Sequence, residues 1–301
     1  MPTFPAPPRA LALVVLAYVT ALLAAWAALH CASSMPPLMA IFLAETVATA
    51  IVFGWSRAFD NSSFYDPFWS VGPMVLAAWL PFSPLAGVLP VGPRPLLMLG
   101  VTVVWGGRLT YNWLRGWEGL AHEDWRYVAF RKRFPRGYWA VSFVAIHFFP
   151  TVCTSVGSLP IWITARSSAP LGALDVLGVS LALAAVVIEG VADSQLRTYR
   201  ETKAKKQEPG GICDVGLWAW SRHPNYFSEC AFWVSVWVLG VAASPREAVW
   251  TAGCPLLIIA LFVFGTIPLM EKRSLERRAS YAEHQRRVPM LFPWPPRKKH
   301  T

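Results

Sequence analysis

Eight stretches of this chain, near residues 10–30, 37–56, 68–86, 95–114, 139–163, 171–192, 227–243 and 247–269, are apolar and almost free of charge. The hydrocarbon core of a bilayer is about 30 Å thick, so a helix rising about 1.5 Å per residue needs about 20 apolar residues to cross it. Backbone N–H and C=O groups find no water there, so a single segment crosses as a helix. The pattern predicts an all-α, polytopic integral membrane protein with about eight transmembrane helices. Stretch 227–243 is short for a crossing, which predicts a tilted helix or one partly buried in protein. The first stretch follows Arg9 and ends in small residues near Cys31, as a secretory signal does. Its apolar core is longer than the usual 7–15 residues, and seven spans would remain if it were cleaved. Composition fits this reading: 55% of residues are hydrophobic, 15% are charged and mean hydropathy is +0.41. A soluble domain carries about 25% charge, so a soluble enzyme, a disordered chain and a disulfide scaffold are excluded.

The formal charge is nevertheless +10, and its distribution is informative. With eight spans, 23 of the 27 Lys and Arg fall on one side: the N-terminus, the loops 57–67, 115–138 and 193–226, and the tail from 270. The opposite loops hold Arg94, Arg166 and Arg246, while Arg108 lies within a span. Cytosolic loops concentrate Lys and Arg, so both termini are expected in the cytosol. Attraction to an anionic leaflet explains most of these charges, and nucleic acid is not needed as a partner.

The five cysteines (Cys31, Cys153, Cys213, Cys230 and Cys254) form no CxxC pair, and the six histidines are dispersed. Neither a disulfide framework nor a metal site is expected. No Gly-x-Gly-x-x-Gly after a strand, Walker loop or Gly-x-Ser-x-Gly is present, so the common soluble nucleotide-binding and hydrolase readings have no motif behind them.

Ionisable groups at membrane depth are costly and each marks a candidate site. Glu45, Arg108, Glu189 and Glu229 qualify. For Glu45, a hydrogen bond to a neighbouring helix and a functional role are both open. Arg108 and Asn112 share a helix face, either lining a polar cavity or reaching the interface. The densest group is Gly216-Leu217-Trp218-Ala219-Trp220-Ser221-Arg222-His223-Pro224-Asn225-Tyr226-Phe227-Ser228-Glu229. Pro224 suits the first position of a helix, whose free N–H groups and dipole would face an anion beside Arg222 and His223. Asn225 and Glu229, four apart, form a polar strip leading into the membrane. An interfacial helix start, with Arg222 on lipid phosphate and the aromatics in a belt, is the plainer alternative. Further basic clusters lie at Arg197–Lys206 and at Glu271–Arg287, the latter with Arg273, Tyr281 and His284. Three basic clusters on one face suit a multiply anionic ligand such as a dinucleotide.

These residues resemble a membrane family carrying the steroid 5-alpha-reductase C-terminal-type domain. The resemblance rests on the 216–229 segment with Asp66-Pro67-Phe68-Trp69, Arg108-Leu109-Thr110-Tyr111-Asn112, Glu123-Asp124-Trp125-Arg126-Tyr127, Asp193-x-Gln195 with Arg200, and the Phe-Pro-Trp-Pro-Pro ending at 292–296. It divides the chain into an additional transmembrane region, 1–59, and a reductase-like domain, 60–301, whose cofactor-binding portion is 193–301. The wider superfamily includes steroid 5-alpha-reductases, sterol reductases and isoprenylcysteine carboxyl methyltransferases, and it implies NADPH-dependent reduction of a carbon–carbon double bond in a lipophilic steroid-, sterol- or enone-like substrate.

By the same resemblance Arg200 meets the adenosine end of NADPH, with the Lys203–Lys206 cluster as a further group for its 2′-phosphate. Trp218, Arg222, His223, Asn225, Tyr226 and Glu229 line the phosphates and nicotinamide, while Glu271, Arg273, Tyr281 and Arg287 close the cytosolic side. Tyr226 and Tyr111 are candidate proton donors, with Glu118, Arg108 or Asp124 in support. Two positions depart from the family pattern: Ser228 replaces a usual Gly, and His284 a usual Tyr. The methyltransferase branch shares an Arg-His-Pro-x-Tyr motif and would use S-adenosylmethionine. However, Lys272 follows Glu271 where that branch has a second Glu, and its cationic ligand wants fewer basic groups. A non-catalytic sterol- or lipid-binding protein is the third alternative. The relatives imply an endoplasmic reticulum location if the source is eukaryotic.

Overall fold

A computed structural model of the chain describes residues 6–87, 91–205 and 211–297. In chain order the main helices are α1 (Pro8–Cys31), α2 (Pro37–Ala58), α3 (Phe68–Trp79), α4 (Pro93–Gly116), α5 (Trp125–Arg133), α6 (Tyr138–Ala165), α7 (Ala173–Lys205), α8 (Pro224–Ala243), α9 (Gly253–Arg277) and α10 (Tyr281–Arg287). No strand occurs among the described residues. Six of these, α1, α2, α6, α7, α8 and α9, are long and apolar enough to cross a membrane. The chain is a multi-pass integral membrane protein.

The other two expected spans fold differently. Stretch 68–86 becomes the 12-residue α3 followed by single 3-10 turns at Leu80–Phe82 and Pro84–Ala86. Twelve residues rise only about 18 Å. Pro73 lies inside the helix, and Pro81 and Pro84 withhold the N–H groups that would extend it. Stretch 95–114 forms α4, whose 24 residues are long enough, but Arg94, Arg108, Asn112 and Arg115 leave it less apolar than the six. Short stretch 227–243 does form α8, the most enclosed of the six with 56% of its apolar window buried in protein.

Internal contacts divide the chain into two units: the described residues within 1–91 and 102–166, and those within 92–101 and 167–301. In the first, Ala10, Val14, Ala17 and Ala21 of α1 join Ala48 and Val52 of α2 and Phe64, Tyr65, Phe68 and Trp117 in one core. Val15, Leu16, Leu22, Leu23 and Trp26 of α1 point outward. Hydrocarbon gives no reason to hide large apolar side chains, so small residues take the helix interface and large ones face lipid.

In α6 a π-helical stretch, Ser142–Phe148, precedes Pro150. The wider turn accommodates a residue that offers no N–H and crowds the preceding carbonyl. It places His147 against Ser56 of α2, Oγ to Nε2 3.0 Å. Thr151, on the next turn, meets Thr49 Oγ1 at 2.7 Å and the Tyr65 hydroxyl at 2.6 Å.

In the second unit α7 packs along α8. Gly178 approaches Leu239 so closely that an added Cβ would lie 2.7 Å from the leucine Cγ. A further π-helical stretch in α9, Leu261–Thr266, again precedes a proline, Pro268. The N-terminal turn of α4 is fastened to α7 by Arg94. Its Nε and Nη2 donate to the two oxygens of Asp175 at 2.7 and 2.8 Å. Nη1 donates to Ser167 Oγ and the Ala169 carbonyl, and Nη2 also to the Pro170 carbonyl.

Candidate functional site

The segment 211–224 is tied to α7 before α8 begins. Gly216 has φ +56, and a Cβ there would lie 2.2 Å from Gln195 Nε2, so only glycine fits the backbone and the space. Gln195 Oε1 accepts from the Leu217 N–H at 2.9 Å, and Trp218 Nε1 donates to the Ala192 carbonyl at 2.8 Å. The expected Asp193-x-Gln195 and Gly-Leu-Trp motifs are thereby one structure. Pro224 takes the first position of α8, as its missing N–H favours.

Arg222 and His223 converge on Glu271 of α9. Arg222 Nε lies 2.6 Å and His223 Nε2 3.1 Å from Glu271 Oε1, and Gln285 Nε2 donates to Oε2 at 2.7 Å. Arg222 Nη1 also donates to the Gln285 and Val288 carbonyls. The tail continues the network: the Arg222 N–H bonds the Pro289 carbonyl, Ser221 Oγ the Leu291 carbonyl, and the Trp294 N–H the Trp220 carbonyl. The tail from Pro289 to Trp294 is therefore the strap that holds the helix start.

Beyond this knot, Tyr226 stacks on His223 at 5.4 Å between centroids and leans on Phe262 at 5.0 Å. Glu229 is buried and accepts from Trp233 Nε1 at 3.2 Å. Ser228 returns its hydroxyl to the Pro224 carbonyl at 2.9 Å, which fits it into the place of the family's glycine.

Three buried polar atoms around the knot make no hydrogen bond: Asn225 Oδ1, Arg278 Nε and Arg287 Nε. Arg278 is within electrostatic range of Arg200, as are Arg197 and Asp193. Burial, and then the Arg222 charge, hold the His284 pKa below its ordinary value, with Arg287 acting in the same direction. Burial foremost pushes Tyr281 up to about 12, and the carboxylate of Glu271 adds to it. Arginines crowded together with unused donors form an electrostatic seat for an anion. Arg273 is half-buried on α9, and Arg200 is exposed on α7. Lys203 lies 5.9 Å from the Tyr199 ring centroid, and Lys206 falls outside the described residues.

Two expected catalytic residues belong to the first unit. Tyr111 is 43% exposed, with Arg115 over its ring at 5.5 Å. Glu118 is on an exposed loop, 3.8 Å from His122 Nδ1. The buried polar centre of that unit lies elsewhere. Tyr127 donates to Asp66 at 2.6 Å, Arg126 pairs with Asp124 at 2.8 Å, and Glu123 Oε1 receives the Ser62 N–H at 2.8 Å. Burial is the main cause raising Asp66 to about 6. Sequence reasoning missed this joining, and in the second unit it missed Gln285 and placed Arg278 only within the Glu271–Arg287 basic cluster. Their one sequence signal was proximity to Glu271 and Arg287.

Fold and site together define a multi-pass membrane protein with a basic, partly unsatisfied cluster of side chains at a helix start. The chain belongs to the family described as "Protein of unknown function (DUF1295)", which matches residues 52–288. It is 28% identical over 276 residues to "Uncharacterized protein C594.04c" of Schizosaccharomyces pombe (strain 972 / ATCC 24843), covering 85% of this chain and 80% of that protein. No solved structure matches.

Proposed function

We propose that the chain is a membrane-embedded, NADPH-dependent reductase of the steroid 5-alpha-reductase-like superfamily, acting on a carbon–carbon double bond of a lipophilic enone or related lipid. The observation that carries this reading is the set of unpartnered buried atoms at Asn225, Arg278 and Arg287 beside the Arg222–Glu271–His223 knot. Their chemistry fits the cofactor: two guanidinium donors suit phosphate oxygens, and an amide acceptor suits a ribose hydroxyl or a carboxamide. Arg278, Arg287 and Arg200 would hold the anionic groups, while Asn225, Tyr226 and Glu229 would take the nicotinamide end. Trp218, Arg222, His223, Glu271, Arg273 and Tyr281 would fix the wall around them. When bound, NADPH supplies a hydride to one carbon of the double bond. The proton for the other carbon is assigned to the hydroxyl of Tyr226, with Tyr111 and Glu118 as the candidates of the first unit.

The commitment of Glu271 to Arg222, His223 and Gln285 favours this reading over an S-adenosylmethionine methyltransferase, because that carboxylate is already neutralised. The reading puts the cofactor portion at 193–301 and both termini in the cytosol, with the endoplasmic reticulum as the membrane if the source is eukaryotic. Six crossings give the same orientation as eight. Removing 68–86 and 95–114 as a pair would not change which side any other loop faces, so the charge argument does not depend on them.

Calorimetric titration of Arg278→Gln and Arg287→Gln in detergent tests the reading. Each substitution is expected to weaken NADPH about tenfold or more without changing the melting temperature. Unchanged affinity in both would remove it.

A further inference from the structure

A cavity of about 190 Å³ opens in the first unit between α2, α3 and α6, and none of the residues assigned to the reductase lines it. Its walls are mostly apolar, Ile41, Leu76 and Leu159 among them, but Glu45, Ser155, Ser158 and Trp162 also line it. Glu45, roughly two turns into α2, projects there, and Ser155 donates to its Oε2. Ser158 is 2% exposed and its hydroxyl has no hydrogen-bond partner. This is unusual in α6, where Thr151, Thr154 and Thr164 all return their hydroxyls to backbone carbonyls. Trp162 Nε1 is likewise buried without a partner, its ring held by Arg166 at 4.2 Å. Orphaned donors and acceptors are costly at membrane depth, where water is scarce.

We infer that this cavity is an intramembrane binding site for the hydroxyl end of a neutral lipid. A hydroxyl donates one hydrogen bond and accepts others, which suits a lining that holds a carboxyl group and two orphaned donors. It would give its proton to Glu45 Oε1 and accept from Trp162 Nε1 and Ser158 Oγ. A hydrocarbon chain leaves these groups unsatisfied. A fatty acid or phosphate head would set a negative charge beside Glu45, and a ketone or ether has nothing to donate to it. The site is independent of the reductase reading, since it takes an alcohol rather than an enone and uses no cofactor residue. A sterol and a linear alcohol present the same hydroxyl to these groups, and the test distinguishes the two sources.

The test is photolabelling of the full-length protein in lipid nanodiscs with two diazirine probes, a sixteen-carbon alcohol and a sterol. Label is read by mass spectrometry on the peptides containing Leu38–Glu45 and Ser155–Trp162. Whichever probe labels them identifies the source of the hydroxyl. Free alcohol is expected to compete about tenfold better than its methyl ether, as loss of one buried hydrogen bond implies. Trp162→Phe and Ser158→Ala, which keep the ring and the helix, are expected to lower labelling severalfold at unchanged melting temperature. Glu45→Leu is expected to abolish it, although the conclusion does not rest on that variant folding. Equal competition by alcohol and ether, no label on either peptide from both probes, or labelling indifferent to Trp162→Phe and Ser158→Ala would overturn the assignment.

Discussion

Arg94 illustrates what a residue-by-residue sequence reading cannot recover. In the sequence it is one of three basic residues in the loops of the less charged face. In the structure it is 2% exposed, and its fork is filled by Asp175, Ser167 and two carbonyls. The partner is 81 residues away, a separation no local pattern encodes. Arg94→Ala would leave Asp175 buried without its counter-ion and is expected to destabilise the second unit by about 3–5 kcal/mol. Arg94→Met with Asp175→Leu should cost clearly less, because no charge is stranded; chemical unfolding in detergent compares the two. Asp66 makes a second prediction at this scale. Its folded pKa, about 6, lies above the ordinary aspartate value, with burial as the leading cause. A raised acid pKa means the folded state holds the proton more tightly. The associated stability is present below about pH 4 and is lost as pH rises through about 6, by about 2–3 kcal/mol at most. Melting curves of wild type against Asp66→Asn between pH 4 and 7 should converge toward low pH and separate toward high pH, with the wild type falling. Parallel curves would show that Asp66 ionisation is not coupled to folding.

Among the helices, apolar runs were easy to read and their interruptions were not. The six spans follow from length and hydropathy alone. Stretch 68–86 was counted with them because Pro73, Pro81 and Pro84 lower an average only slightly, whereas a missing N–H stops a helix outright. The π-helical turns before Pro150 and Pro268 were also invisible, since a helix of either pitch carries the same apolar residues. The joint between α7 and the 211–224 segment was legible as two motifs but not as a contact. It supplies a prediction for Gly216, whose positive φ and closeness to Gln195 leave no room for a side chain. Gly216→Ala is expected to cost about 1–3 kcal/mol through backbone strain and displacement of Gln195. Adding Gln195→Ala should recover part of that loss if crowding is the cause. Differential scanning of the two variants separates crowding from strain, which the second substitution would leave in place.

For the molecule as a whole, composition decided the solvent and charge suggested the orientation. The candidate site was legible as residue types: Arg222, His223, Asn225, Tyr226 and Glu271 do surround one helix start. Their division of labour was not legible. Arg222 and His223 look like ligand donors in the sequence, but here they neutralise Glu271 and bind the tail, while the unused donors belong to Arg278 and Arg287. In the proposed reductase reading, exposed Arg200 is then the discriminator of the 2′-phosphate. Arg200→Ala should weaken NADPH binding about tenfold or more and NADH hardly at all. The most direct measurement of the central claim is calorimetric titration of the purified, full-length wild-type protein with NADPH, NADH and S-adenosylmethionine in parallel. The reductase account predicts that NADPH binds tightest, NADH more weakly and S-adenosylmethionine without measurable heat. Tight S-adenosylmethionine binding with no response to NADPH, or binding of none of the three, would contradict it.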